Sequence, residues 1–195
     1  MTQTYDPRSA LVVVDVQNDF ADAAGSLAVR GGPEVVTATN AQVAAAVGAG
    51  AVVLYTQDWH PADTPHFAKD GGTWPVHCVQ GTWGAQLHPD LVVRGDVVRK
   101  GEHGEDGYSG FTMRDPVSGV SLPTPLAGLL RARGVERLVV VGLATDYCVR
   151  ATALEAREHG WPVVVPWAAV AAVNLQPGDG ERTRQELLDA GVEVE

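Results

Sequence analysis

Cys148 closes the segment LVVVGLATDYC, residues 138–148, and stands where CVRATALEAREHG takes on helical spacing. A thiol at that place lies near unpaired backbone N–H groups and the positive end of a helix dipole. Both favour the thiolate and lower a cysteine pKa. The same N–H groups can hold the oxyanion that forms when a thiolate attacks a carbonyl. A lone cysteine is ordinarily a small packed hydrophobe, so a nucleophile needs company. Asp15 follows the run ALVVV, Asp58 follows AVVLYTQ, and Lys100 follows DVVR. Three more chemically useful residues therefore end three more apolar runs.

A second constellation lies in QDWHPADTPHFAKDGGTWPVHC, residues 57–78, which holds Asp58, His60, His66 and His77. Imidazole suits zinc, iron and manganese, and a carboxylate shifts the balance toward harder, higher-coordinate ions. One Asp and three His leave one or two positions for water or ligand, as catalytic metal sites do. The spacing D-x-H-x5-H-x10-H is no zinc-finger pattern. His88, His103 and His159 read as ordinary polar residues, His159 near a helix end where a cation suits the dipole.

The elements that must position these groups alternate. Apolar runs at 10–14, 51–56, 96–99, 138–143 and 163–165 read as buried strands, the first ending at Asp15. Helical patterns occupy 33–47, 125–133, 146–159 and 181–189. The fold class is therefore α/β, a doubly wound, mostly parallel sheet with helices on both faces. Ligands bind outside the carboxyl ends of such strands. Asp15, Asp58, Lys100 and Cys148 should then surround one crevice.

At 195 residues the chain is expected to form a single domain, 1–195, burying roughly 70% of its unfolded surface. A net charge of −10 argues against nucleic acid and anionic membrane surfaces as partners. No secretory leader pattern is seen, and no apolar run approaches the ~20 residues of a bilayer span. Cys78 and Cys148 are the only cysteines, so no disulfide framework exists and a reducing cytoplasm is the expected location. Many of the Gly and Pro residues fall in two long connections, 57–89 and 101–125. Loops of that length are functional or disordered, and these are too aromatic for disorder.

DVQNDF (15–20), DWHP with the following His66, WPVHC (74–78), Lys100 with Gly101, YSGF (108–111) and VGLATDYCV occur in order along most of the chain. In these motifs the sequence resembles the bacterial nicotinamidases, also called pyrazinamidases, of the isochorismatase-like cysteine hydrolases. The resemblance implies the isochorismatase-like hydrolase fold and hydrolysis of nicotinamide, and of pyrazinamide, to the acid and ammonia for NAD salvage. It assigns Cys148 as nucleophile, Asp15 as proton acceptor, and Lys100 as the third member that balances both anions. The N–H groups of Ala144 and Cys148 would hold the oxyanion, with a cis peptide before Ala144.

By the same resemblance Asp58, His60, His66 and His77 hold one divalent metal ion (zinc, iron or manganese) that fixes the pyridine nitrogen. Phe20, Trp74 and Tyr108 form the pocket for a flat ring, and Tyr147 narrows its mouth. Trp59, Trp83 and Phe111 are left to packing or loop anchoring, and Cys78 to a packed thiol. Two departures stand out: an acidic connection GEHGEDG (101–107), about one residue longer than expected, and PWAAV from Pro166 where an Asp is common. The expected partner is a small-molecule amide, and association into a homo-oligomer stays open. The alternatives are a related hydrolase of another heteroaromatic or carbamoyl amide, and a non-catalytic binding module. The intact Asp15, Lys100 and Cys148 set speaks against the latter.

Overall fold

The apolar runs become strands because both of their faces are covered. The computed structural model describes residues 5–195, so the first four residues of the expected domain lie outside the described residues. β1 (Ser9–Val14) leads through the short α1 (Asn18–Ala21) to α2 (Gly32–Gly48) and β2 (Val52–Asp58). β3 (Asp96–Lys100), the hairpin β4 (Thr112–Arg114) and β5 (Ser121–Pro123), α3 (Leu126–Ala132) and β6 (Arg137–Leu143) follow. α4 (Arg150–Glu158), β7 (Val163–Val165), β8 (Val170–Ala171), α5 (Asp179–Asp189) and β9 (Glu193–Val194) complete the chain.

The main sheet runs β3-β2-β1-β6-β7-β9, with β8 pairing β6, and its pairings are parallel. Successive side chains of β1 alternate between two cores. Leu11 and Val13 pack with Val35, Val36 and Val43 of α2 on one face. Val12 and Val14 pack with Leu126 and Leu130 of α3, Ala153 of α4 and Leu187 of α5 on the other. Each such burial stabilises by about 1.5–3 kcal/mol, so a charge anywhere in β1 would break one core or the other. Helix α2 starts with Pro33 in its first turn, where a missing N–H costs nothing, and continues on an alanine-rich interior.

The chain builds outward from β1 to β3 and then crosses to β6 on β1's other side. The crevice at the carboxyl ends of β1 and β6 is the switch point of the sheet. Gly142 makes the close approach there possible. It pairs with Val14, and a Cβ on it would lie 2.1 Å from the Val14 carbonyl oxygen. Asp15 and the segment reaching Cys148 leave from this junction.

Three expectations change. The helix expected over 146–159 becomes α-helical only from Arg150, because Thr145–Val149 forms a wider π-helical turn that contains Cys148. The connection 101–125 contains the β4–β5 hairpin, and the short β8 and β9 extend the sheet. Among the described residues no helix is long and apolar enough to cross a membrane.

Candidate active site

Asp15 ends β1 in a left-handed conformation (φ 48°), which turns its carboxylate away from the strand direction. Its backbone N–H donates to the Thr56 carbonyl on β2 (3.3 Å). Thr56 Oγ1 donates to Asp15 Oδ1 at 2.6 Å, and Lys100 Nζ donates to Oδ2 at 2.7 Å. The Cys148 Sγ lies within 4.8 Å of a carboxylate oxygen of Asp15 and 3.8 Å from Lys100 Nζ. Lys100 Nζ stands a further 2.8 Å from Asp58 Oδ1 and donates to the Tyr108 carbonyl at 3.3 Å. The four strand-end residues meet as expected. Lys100, only 1% exposed, is no solvated surface lysine.

The electrostatics differ from the simplest expectation at the thiol. Burial pushes the Cys148 pKa well above the usual range, and the nearby Lys100 ammonium offsets that only partly. The proximity of the helix entrance is outweighed by desolvation, so the resting group is a thiol. Burial also raises the Asp15 carboxyl, against the pull of Lys100, which makes it a better proton acceptor. Lys100 itself loses by burial, but Asp15 and Asp58 more than compensate and hold it protonated. For Asp58 burial acts upward, yet Lys100 and then His60 outweigh it and bring the pKa to about 2.

The second constellation also converges. His60 lies beside the 77–80 segment, its N–H donating to the Cys78 carbonyl (3.0 Å) and its carbonyl accepting from Gln80 (2.8 Å). Ring nitrogens of His60, His66 and His77 lie within 4.8 Å of one another. His77 Nδ1 donates to the Pro75 carbonyl at 2.7 Å, and His66 Nδ1 pairs with Asp106 Oδ1 at 2.7 Å. Each keeps Nε2 as the nitrogen with a free lone pair. Both ring nitrogens of His60 are buried without a hydrogen-bond partner among the described residues.

An orphaned buried imidazole costs about 1–3 kcal/mol unless something satisfies it. Burial lowers the pKa of His60 to about 4 and lowers that of His77, which keeps both as neutral donors. Asp58 Oδ2 is 3.9 Å from His60 Nε2. Three imidazoles beside an ionised carboxylate fit a divalent cation of the zinc, iron or manganese kind. Gly101 (φ 77°) lets the following loop lie against this group, since a Cβ there would sit 2.6 Å from His60 Nδ1.

Between the two groups is a cavity of about 50 Å³, which reaches from Cys148 and Ala144 to His66, His77 and Asp58. Phe20, Trp74, Tyr108 and Tyr147 supply its aromatic wall. Trp74 Nε1 donates to the Tyr108 hydroxyl (3.0 Å), and Tyr147 meets both rings edge-on, at 5.0 and 5.3 Å between centroids. The peptide between Leu143 and Ala144 is cis.

The residues set aside from the sequence lie elsewhere. Phe111 packs against Trp161, Arg99 covers the Trp59 ring, and Trp83 is half exposed. Cys78 is buried, its thiol pushed up by desolvation and its N–H held by Asp19 Oδ2 at 2.7 Å. Sequence reading missed Thr56, Asp106, the wall residues Leu27, Val29 and Val173, and Gln17. Gln17 clamps the Asp58 backbone by two 2.8 Å bonds. Gln17 and Asp19 lie inside DVQNDF, so the motif itself was their signal. Thr56 and Asp106 had only their positions beside Asp58 and in the acidic loop.

The sequence matches the isochorismatase domain over residues 9–186. It is 38% identical over 203 residues to the nicotinamidase of Escherichia coli (strain K12), covering 95% of this chain and 93% of that one. PnC1 from L. infantum in complex with nicotinate aligns with a TM-score of 0.88 at 38% identity, over 98% of this chain and 94% of that chain. The pyrazinamidase of Pyrococcus horikoshii in complex with zinc gives 0.86 at 38% identity, over 97% and 99%.

Proposed function

Because the chain belongs to the isochorismatase domain family, we infer that it is a nicotinamidase, hydrolysing nicotinamide to nicotinate and ammonia and accepting pyrazinamide as well. One observation carries this. A thiol, a carboxylate and an ammonium stand at one end of a small aromatic-walled cavity, and three imidazoles with a carboxylate stand at the other. That spacing suits a flat ring bearing a carboxamide.

The proposed chemistry starts as Cys148 passes its proton to Asp15 while Sγ attacks the carboxamide carbon. The N–H groups of Ala144 and Cys148 donate to the developing oxyanion, and Lys100 balances the charge shared by Asp15 and Sγ. Asp15 returns the proton to the nitrogen, the C–N bond breaks, and ammonia leaves a thioester on Cys148. Asp15 then takes a proton from water, whose oxygen attacks the thioester. Breaking the C–S bond frees nicotinic acid, which ionises to nicotinate, and Asp15 returns its proton to Sγ to restore the thiol. A divalent ion held by Asp58, His60, His66 and His77 would supply a Lewis-acid anchor for the ring nitrogen, a positioning effect. Phe20, Trp74, Tyr108 and Tyr147 orient the ring and exclude water. We assign residues 1–195 to this one catalytic domain, working in the cytoplasm on a small amide and returning nicotinate to NAD salvage.

The test is ammonia release from a panel of amides, with metal content measured on the same sample. Nicotinamide and pyrazinamide should lead, with about one divalent ion per chain. A clear preference for an N-carbamoyl amide would move the chain to another amidohydrolase of the family.

A further inference from the structure

The acidic loop after β3 contains a carboxylate that the reaction above does not use. Asp106 Oδ1 lies 2.7 Å from His66 Nδ1, and its side chain is only 30% exposed. We propose that Asp106 is a positioning residue that fixes the tautomer and ring orientation of His66 and strengthens it as a metal ligand, a role that rests on reading Asp58, His60, His66 and His77 as a metal centre. With its Nδ1 hydrogen committed to a carboxylate, His66 presents Nε2 as its free lone pair. Negative charge behind the ring also raises its donor strength. Such outer partners are worth about 10–100-fold in metal affinity.

The placement of Asp106 is over-determined. Its N–H donates to the Arg114 carbonyl at 2.8 Å, and Arg114 returns a backbone bond across the β4 edge. The Gly107 N–H donates to the same Oδ1 at 2.8 Å, and the Arg114 guanidinium stands 3.5 Å from Oδ2. The backbone bridge alone would brace the loop whatever side chain stood here. The carboxylate is what reaches the histidine. The three rings also differ in kind: His77 leans on a neutral carbonyl, the ring nitrogens of His60 have no hydrogen-bond partner among the described residues, and His66 leans on a carboxylate. Two residues on, Tyr108 gives its carbonyl to Lys100 and its hydroxyl to Trp74, so the same loop carries one wall of the cavity.

Metal-stripped full-length protein should be titrated with Zn²⁺ against a chromophoric chelator, and with Co²⁺ to read its ligand-field absorption. Asp106→Ala should weaken zinc binding by roughly 10–100-fold and alter the Co²⁺ bands. Asp106→Asn, which keeps the loop bonds and an acceptor for Nδ1–H, should lose less and restore the Co²⁺ spectrum. Arg114→Ala removes only the 3.5 Å contact and leaves the backbone bridge, so its zinc affinity should stay within about twofold of wild type. Zinc affinities of both Asp106 variants within twofold of wild type overturn the proposal. So does a loss in Arg114→Ala equal to that of Asp106→Ala, which would reduce Asp106 to a loop brace. Wild-type protein that takes up no Zn²⁺ or Co²⁺ would instead refute the metal centre itself, and this role with it.

Discussion

Lys100→Met keeps the length and packing of the buried stem and removes only the ammonium. Lys100 stands 2.7 Å from Asp15 and 2.8 Å from Asp58, and all three side chains are buried. Removing the cation leaves two carboxylates facing each other with no counter-charge between them. Breaking a buried pair in this way costs about 3–5 kcal/mol. At about 2–4 °C per kcal/mol for a chain of this size, the melting temperature should fall by roughly 6–20 °C. Urea unfolding of chelator-treated protein, followed by circular dichroism, reads the loss directly. The double variant Asp15→Asn/Lys100→Met should be more stable than the sum of the two single losses predicts, by about 1–3 kcal/mol of coupling. Excess zinc should shrink the deficit, since a cation on Asp58 replaces part of the missing charge. A loss under about 1 kcal/mol, or strict additivity in the double variant, would refute the charge-balance account.

Cys148→Ala should abolish amide hydrolysis while leaving the unfolding midpoint and zinc content near wild type; retention of a tenth of the turnover would exclude covalent catalysis by this residue. Cys78→Ser should keep most of the activity, and a collapse like that of Cys148→Ala would make Cys78 more than a packed thiol. Asp15→Asn suits the left-handed backbone (φ 48°) and should slow turnover by about 10² to 10⁴, roughly 3–5 kcal/mol. A rate within threefold of wild type would place the proton acceptor elsewhere. Benzamide, which lacks the ring nitrogen, should be a far poorer substrate than nicotinamide for zinc-loaded enzyme, and the gap in kcat/KM should close when zinc is stripped. An unchanged gap would mean that the metal centre is structural.

The parts of the fold legible in the sequence are those whose burial leaves no choice of residue. β1, β2 and β6 are packed on both faces, so each carries a run of aliphatic residues that leads to the crevice. The β4–β5 hairpin was hidden because Thr112, Arg114 and Ser121 are polar and none of its residues is deeply buried. β8 and β9, two residues each, owe their strand character to pairing with β6 and β7. The same division holds in the site. Asp15, Asp58, Lys100 and Cys148 were marked by the strands they end, and the histidines by their density in one loop. The depressed thiol pKa expected from the helix entrance failed, because a sequence shows where a dipole lies but not how completely a group is desolvated. Thr56 and Asp106 act only through a partner 41 or 40 positions away in sequence, and neither residue type announces it.

The small size of the cavity has a kinetic meaning. Its volume is about 50 Å³, whereas a dry protein cavity of roughly 150 Å³ is what accommodates benzene. No aromatic ring enters this space as it stands. The walls must part first, and the most exposed of them is Tyr108, tied to Trp74 by a single hydrogen bond and touched edge-on by Tyr147. Opening of those rings would then govern both entry and exit. Water for the thioester step would enter by the same movement, and the product would leave no faster than the aromatic pair lets go.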